Sequence, residues 1–456
     1  MMPLGMRLHW LVVLALASAA CGSGNAPVDV ADAMGVDVVL PADVDSPVDS
    51  MDVPTPTDVP TGTDVQTGAD VPRVNNTCRG PVERAYLADP SLCLVRFATG
   101  LRSPRGLAIA PNGDLFVNGA GSVSVLFDAD GDGQSGTTER AAWGSASGLN
   151  HGIAFSPDGR FLYASSQTTV YRWPYTSGQR MAAGAAEVVL SNVPMGSHST
   201  RTLAFDRMGR LYVTVGSNGN IDPSSGTNAL IRRFTIPATV PASGIAFATG
   251  ELYASGLRNE VGLAVDSSDR VWGVENGVDG LGDNDPPEEV NRFDNGGSRF
   301  FGYPSCITVG RAGGGVPTMQ RADTRVTGAL RHDDAWCSMA ANNHVPVFGM
   351  QGHWAPLGVT EYADGVLPAA WRGDLFVAAH GSWNHSAGVG RLIARLDVQP
   401  DGSIATVQVV VAEDNGTGGF RQNQWSMRPV DIRPGPDGAI YFTDDAGGRV
   451  FRLGAR

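Results

Sequence analysis

Gly106-Leu107-Ala108-Ile109-Ala110-Pro111-Asn112-Gly113-Asp114-Leu115-Phe116-Val117 reads as two short apolar strands around a Pro-Asn-Gly turn. The pattern returns five times, at residues 152–163, from 202–205 to 211–213, from 262–265 to 271–273, from 357–359 to 374–377, and from 429–432 to 438–442. Each copy is a hairpin whose turn glycine, where present, supplies a positive φ. Further strands follow the hairpins, such as Val170-Tyr171-Arg172-Trp173 and Arg449-Val450-Phe451-Arg452-Leu453. Copies start about 46 to 96 residues apart, which leaves room for four strands per unit. Such units cannot bury their faces alone, and arranged radially they form a propeller. The expected fold is all-β, a six-bladed β-propeller. Leu94-Val95-Arg96-Phe97, ahead of the first copy, is placed to close the ring on the last blade. A β-sandwich or two all-β domains is the rival arrangement.

Composition agrees. Gly 59 and Pro 29 in 456 residues approach twice the usual share, and only 17% of residues are charged, which argues against a coiled coil or a helix-rich fold. A net charge of −13 argues against a nucleic-acid partner, because phosphate binding needs a basic surface. Ten Asp and no Lys, Arg or Glu fall within residues 25–72, so the acidity belongs to that stretch and the remainder is close to neutral.

The first residues read as an address. Arg7 precedes the apolar run 8–17, too short to span a bilayer, and Ser18-Ala19-Ala20-Cys21 follows. Small residues before a cysteine resemble a bacterial lipoprotein cleavage site, after which Cys21 carries lipid. Gly22, rather than Asp, next to it points to the outer membrane. An ordinary secretory signal cut near Ala20 is the alternative, and both readings export the protein. Residues 22–76, rich in Asp, Val, Pro and Thr, repel themselves and cannot bury a core; they read as a disordered tether. The domain plan is therefore 1–21 signal peptide, 22–76 linker and 77–456 propeller. Setting Cys21 aside leaves Cys78, Cys93, Cys306 and Cys337, an even set that implies two disulfides in an oxidising compartment. Of the three pairings, short loops favour Cys78–Cys93 and Cys306–Cys337.

Residues just before the innermost strand of each blade should meet at one mouth of the channel. There the sequence carries Arg105, His151, Arg201 with His198 nearby, Arg258-Asn259, His353-Trp354 and Arg428. Cations gathered at close quarters imply a bound polyanion or buried counter-charges. A flat ligand with several carboxylates fits.

Gly196-Ser197-His198-Ser199-Thr200-Arg201-Thr202-Leu203-Ala204-Phe205 resembles the soluble quinoprotein glucose/sorbosone dehydrogenases. So do 253–259 (Tyr-Ala-Ser-Gly-Leu-Arg-Asn), Glu275-Asn276-Gly277-Val278, His380-Gly381-Ser382-Trp383-Asn384 and Arg428-Pro429-Val430-Asp431, in order across about 94–456. The resemblance implies six blades, pyrroloquinoline quinone (PQQ) and calcium at the channel mouth, and oxidation of an aldose or related sugar, alcohol or aldehyde. It makes His198 the general base, whose near-neutral imidazole takes a hydroxyl proton as hydride departs. Arg258 stands beside the reacting carbonyl as a fixed cation, and Asn259 hydrogen-bonds the cofactor. The backbone carbonyls of Gly277 and Val278 match the calcium ligands, and Arg428 and Arg201 match carboxylate partners. Ser197 replaces an acidic neighbour of the base, Ser426 stands for a further Arg, and the family's cofactor-binding Lys has no match, so Arg105, His151 or His380 would share the cofactor's carboxylates. The pattern is closer to the sorbosone-type branch.

Asp128-Ala129-Asp130-Gly131-Asp132-Gly133-Gln134-Ser135-Gly136-Thr137-Thr138-Glu139 matches D-x-D-x-D-G-x5-E, a calcium loop with Asp128, Asp130, Asp132, the carbonyl of Gln134 and Glu139 as ligands. Its flanks read as strand, so a structural ion between blades is expected rather than a helical sensor. A further acidic loop, 279–289, either adds to the cofactor site or lies at the surface. The chain thus reads as an exported, lipid-anchored PQQ- and calcium-dependent dehydrogenase that takes two electrons from a sugar and passes them to an external acceptor. The rivals are a non-catalytic propeller on a tether and a calcium-dependent lactonase-like hydrolase; the latter needs channel carboxylates, and the starts of the inner strands carry none.

Overall fold

Six four-stranded antiparallel blades follow one another around a ring. The computed structural model describes residues 78–223, 225–293, 299–310, 314–317, 320–422 and 424–456. These fall in the second of two compact units, Gln66–Arg456. The stretches read as signal and tether, with Cys21, lie outside the described residues.

Each hairpin copy supplies the two inner strands of one blade. Blade one is Gly106–Ile109, Leu115–Gly119, Ser122–Leu126 and Arg140–Ser145; blade two is Leu149–Phe155, Phe161–Ser166, Val170–Pro174 and Glu187–Ser191. Blade three is Leu203–Phe205, Arg210–Val215, Leu230–Thr235 and Glu251–Ser255; blade four is Glu260–Val265, Val271–Glu275, Glu288–Phe293 and Phe348–Met350. Blade five is Pro356–Tyr362, Asp374–Ala379, Leu392–Val398 and Ile404–Asp414. Blade six takes Pro429–Pro434, Ile440–Asp444 and Arg449–Ala455 from the end of the chain, and its fourth strand, Leu92–Ala98, from the beginning. The expected closure is thus present, and it abolishes two sheet edges at once.

The inner strands touch in cyclic order, the sixth returning to the first. Close approach explains the small residue that opens them. A Cβ on Gly106 would stand 1.9 Å from the carbonyl oxygen of His151, and one on Gly152 would stand 2.1 Å from that of Arg201. At the same register blade three has Thr202, whose hydroxyl donates to the Val261 carbonyl, and blade six has Asp431, whose Oδ2 accepts from the Leu107 N–H at 2.8 Å. Between blades, Trp143, Trp173, Trp272, Tyr212, Phe116, Phe376 and Phe442 are buried almost completely. Each is worth roughly 1.5–3 kcal/mol or more in removed apolar surface.

Both disulfides form as the short loops favour. Cys78–Cys93 pins the approach to the closing strand, and Cys306–Cys337 ties an insertion in blade four together. The insertion contains the hairpin Cys306–Thr308 with Gln320–Ala322 and the short helix Asp334–Cys337. Its Tyr303 and Ile307 pack with Ala229 against Val278, so it backs the segment that follows the second strand of blade four. Among the described residues no helix is long and apolar enough to cross a membrane.

Candidate active site

The six mouth positions are not equivalent. Arg105, His151 and Arg201 stand immediately before the close-approach residue, but the matching residues in blades four to six are Val261, Leu357 and Val430, which pack together as an apolar cluster. Arg258, His353 and Arg428 come from the loops ahead of those strands. The polar mouth is therefore lopsided, and its cavity lies over blades three, four and five.

That cavity, about 280 Å³, is lined by His198, Arg258, Asn259, Asn276, Gly277 and Val278, together with Asp279, Glu288, His353 and the 382–384 stretch. His198 sits in the loop before blade three. Its Nδ1 lies 2.8 Å from the carbonyl oxygen of Ser217, and because a carbonyl only accepts, Nδ1 carries the proton. Nε2 is left as the lone-pair nitrogen, with no partner among the described residues. Burial, and then the charge of Arg258, lowers this imidazole to about 4, so it is neutral at neutral pH. Gly216 makes the arrangement possible: a Cβ there would stand 2.5 Å from Oδ1 of Asn259 and 2.7 Å from Cβ of His198.

Arg258 is held from several sides. Nη2 donates to Asp279 Oδ2 at 2.9 Å and to Asn220 Oδ1 at 3.1 Å, and Nη1 donates to the Asn276 carbonyl at 3.1 Å. Asp279 Oδ1 accepts from Asn384 at 2.7 Å, which joins blade four to the blade-five loop across the cavity. Glu288, fully buried, accepts from the N–H of Gly277 at 2.9 Å and of Ala355 at 3.0 Å. No donor among the described residues reaches the carbonyls of Gly277 and Val278, the pair read as calcium ligands. The acidic loop 279–289 belongs to the site: Asp279 and Glu288 line the cavity, and Asp283 accepts from Ser386.

A second cluster adjoins it. Asp445 accepts from Arg105 Nη1 at 2.6 Å and pairs with His380 Nε2 at 2.9 Å. Burial opposes its charge, but the His380 hydrogen bond and the nearby cations hold its carboxyl below the ordinary range. Arg428 donates to the carbonyls of His380, at 3.1 Å, and Gly381, at 2.8 Å, at the root of the loop that carries Ser382 and Asn384 into the cavity. His151 is 2% exposed, and burial, then Arg105, pushes its imidazole well down. Both His151 Nδ1 and Arg105 Nε are buried without a partner among the described residues.

One expected ligand-binding cation turns elsewhere. Arg201 is fully buried and donates to the carbonyls of Pro194, His198 and Thr200. It braces the His198 loop from behind rather than facing the cavity. The chain contains no lysine at all, its 33 basic residues being arginines, so the family's cofactor-binding Lys has no lysine counterpart.

Asp445, Asn276 and His380 share a register that the inner-strand reading passes over: each is the first residue after the second strand of its blade. Also missed is a row of glutamates behind Arg258. Glu260 pairs across the sheet with Glu275, and Glu275 with Glu289, which puts three acids side by side on one buried face. Asn291 donates to Glu260 and Glu275, and the Arg258 N–H donates to Glu275. Burial with the like charges raises all three, Glu289 to about 7.

The 128–139 loop joins the third and fourth strands of blade one, and the Ser135 N–H donates to Phe97 of the closing strand at 2.7 Å, so it lies where blades one and six meet. Carboxylate oxygens of Asp128, Asp130, Asp132 and Glu139 lie within 4.8 Å of one another.

Fold and cavity together define a six-bladed propeller with a polar, base-bearing pocket at one mouth. A protein-family profile described as TrAA12-like matches residues 88–456, and the chain belongs to that family. It is 29% identical over 393 residues to the pyrroloquinoline quinone-dependent pyranose dehydrogenase of Coprinopsis cinerea, a match covering 77% of this chain and 52% of that protein. It is 27% identical over 394 residues to the pyrroloquinoline quinone-dependent sugar dehydrogenase of Hypocrea jecorina, covering 78% and 86%. The solved holo form of the Coprinopsis cinerea pyranose dehydrogenase PQQ domain superposes with a TM-score of 0.70 at 25% identity, covering 83% of this chain and 98% of that one. This chain spans about half the length of the Coprinopsis relative.

Proposed function

We propose that this chain is an exported sugar oxidoreductase that uses PQQ and calcium. One observation carries the reading: a neutral His198 with a bare Nε2 shares a cavity with Arg258 and with the two donor-free carbonyls of Gly277 and Val278. The names of the relatives support the same class. The residues suit the cofactor. Carbonyl oxygens are hard donors of the kind calcium takes. Arg105 Nε and His151 Nδ1, buried without partners among the described residues beside Asp445, suit added carboxylate groups.

When bound, the quinone supplies a two-electron acceptor and calcium a Lewis acid. Gly277 and Val278 hold the ion through their carbonyls, and Asn259 and Arg258 orient the quinone. Arg105, His380 and Arg428 would pair with its carboxylates. Nε2 of His198 takes the hydroxyl proton of the sugar carbon being oxidised. Arg258, pinned by Asp279, keeps its positive charge fixed without reorganisation. Trp383, 80% exposed at the cavity rim, offers an apolar face to a sugar ring. An external electron acceptor would complete the cycle.

Purified protein titrated with PQQ and Ca²⁺ should take up the quinone, and adding a reactive pyranose should bleach the oxidised quinone absorbance and reduce a dye. No bleaching across a broad aldose panel, with quinone bound, would leave a non-catalytic propeller as the better reading. Export rests on residues 1–21 and the two disulfides; the lipid on Cys21 is the proposed anchor, with the outer membrane its proposed site.

We infer a second, structural calcium held by Asp128, Asp130, Asp132, the Gln134 carbonyl and Glu139. Chelation should lower the thermal midpoint of the wild-type protein by several degrees. Asp130→Ala with Asp132→Ala should abolish that calcium-dependent part while PQQ still binds. Equal calcium dependence in the double variant would place the effect at the cofactor site instead.

A further inference from the structure

His353 occupies a backbone conformation that its side chain disfavours. Its φ is +65°, and that of Ala355, two residues on, is +52°. Left-handed backbone at a residue other than glycine costs of order 1–3 kcal/mol and persists only where the surroundings over-determine it. They do here. A Cβ on Gly352 would stand 2.8 Å from the Pro286 carbonyl, the N–H of Ala355 is bound by Glu288, and the Ala355 carbonyl accepts from His380. Glycine at 353 would relieve the strain, yet the chain carries an imidazole.

That imidazole lines the same cavity as His198. Its Nε2 lies 2.8 Å from the carbonyl oxygen of Gly282, so Nε2 carries the proton and donates. Nδ1 is left with a lone pair and no partner among the described residues. The ring of His385 stands edge-on, 6.0 Å away between centroids, and does not bond Nδ1. The cavity therefore holds two tautomer-fixed imidazoles of opposite sense: His198 bare at Nε2 and His353 bare at Nδ1. The uncharged polar groups Asn276, Ser382 and Asn384 line the same cavity and suit the hydroxyls of a polyhydroxylated ligand.

We propose that Nδ1 of His353 accepts a hydrogen bond from a second hydroxyl of the bound sugar and so fixes which carbon is presented to His198. This rests on the sugar-oxidising reading above and adds the residue that sets its specificity. A fixed acceptor discriminates sharply, because a sugar lacking the matching hydroxyl leaves a desolvated nitrogen unpaired.

The test compares wild type, His353→Gly and His353→Asn, all loaded with PQQ and Ca²⁺. It uses the best aldose and its monodeoxy analogues, with KM and kcat from dye reduction and sugar affinity from calorimetry on quinone-reduced protein. His353→Gly relieves the backbone strain, so its thermal midpoint should stay within a few degrees of wild type and checks the fold. Both variants should raise KM and weaken calorimetric binding about tenfold, leave kcat within about threefold, and leave quinone affinity unchanged. One monodeoxy sugar should bind wild type and His353→Gly equally weakly. Undiminished sugar affinity, a loss confined to quinone affinity, or a fall in kcat without a rise in KM would overturn the proposal. Absence of any sugar oxidation by wild type would instead sink the functional reading.

Discussion

His198→Ala should bind quinone and calcium as wild type does and lose turnover by about 10²–10⁴-fold, the usual worth of a positioned general base. The expectation follows from the tautomer. The Ser217 carbonyl oxygen lies 2.8 Å from Nδ1 and favours the tautomer with the proton there, which leaves Nε2 as the basic atom. The separation from binding follows from placement, since the cationic cluster around Asp445 and the carbonyls of Gly277 and Val278 do not depend on the imidazole. His198→Gln, which cannot take a proton, should be as inactive as His198→Ala. The pH profile gives an independent reading. Burial and Arg258 lower the imidazole to about 4, and the neutral form is the active one, so the acid limb of kcat/KM should fall near 4 rather than near 6.5. A variant retaining more than a tenth of wild-type turnover would remove His198 from the role.

Glu289→Gln should be more stable than wild type at pH 8 and lose that advantage at pH 5. The three buried glutamates of blade four are raised in the folded state, Glu289 to about 7, so the fold favours their protonated forms. An acid raised in this way contributes stability that is present below its unfolded value of 4.5 and is lost as pH climbs through the folded value. For Glu289 alone the change from pH 5 to pH 8 is of order 3 kcal/mol. The buried imidazoles of His151, His198 and His380 act in the opposite direction below about 6.5, because folding keeps them neutral. Comparing variant with wild type cancels that contribution. The measurement is the thermal midpoint of chelated, cofactor-free protein at pH steps from 5 to 8. Parallel curves for the two proteins would show that Glu289 does not titrate in this window.

The fold was legible because the hairpin itself recurs, although the spacing between copies varies from about 46 to 96 residues. Copies such as 106–117 and 152–163 repeat their turn chemistry, and the order of repeats fixes the order of blades. Even the closing strand could be read, since an apolar run before the first copy had no other neighbour. The site was only half legible. A residue ahead of an inner strand can be placed at the mouth from sequence, which finds His198, Arg258 and His151. Where its side chain points cannot be read so, and Arg201 turns back into three carbonyls of its own loop. The glutamate row was hidden for a different reason. Glu260, Glu275 and Glu289 are dispersed along the chain as ordinary acids, and only cross-strand register makes them neighbours. Asp445 went unseen because attention to strand starts overlooks the residue just past the second strand.

The pairing of Leu92–Ala98 with Arg449–Ala455 also dictates how the molecule is made. The strand synthesised first must wait, unpaired, for the last residues synthesised. Until those arrive, blade six has two exposed edges and neither Asp445 nor Arg428 has its surroundings. The cluster around Asp445 therefore cannot assemble before the C-terminal strand is in place.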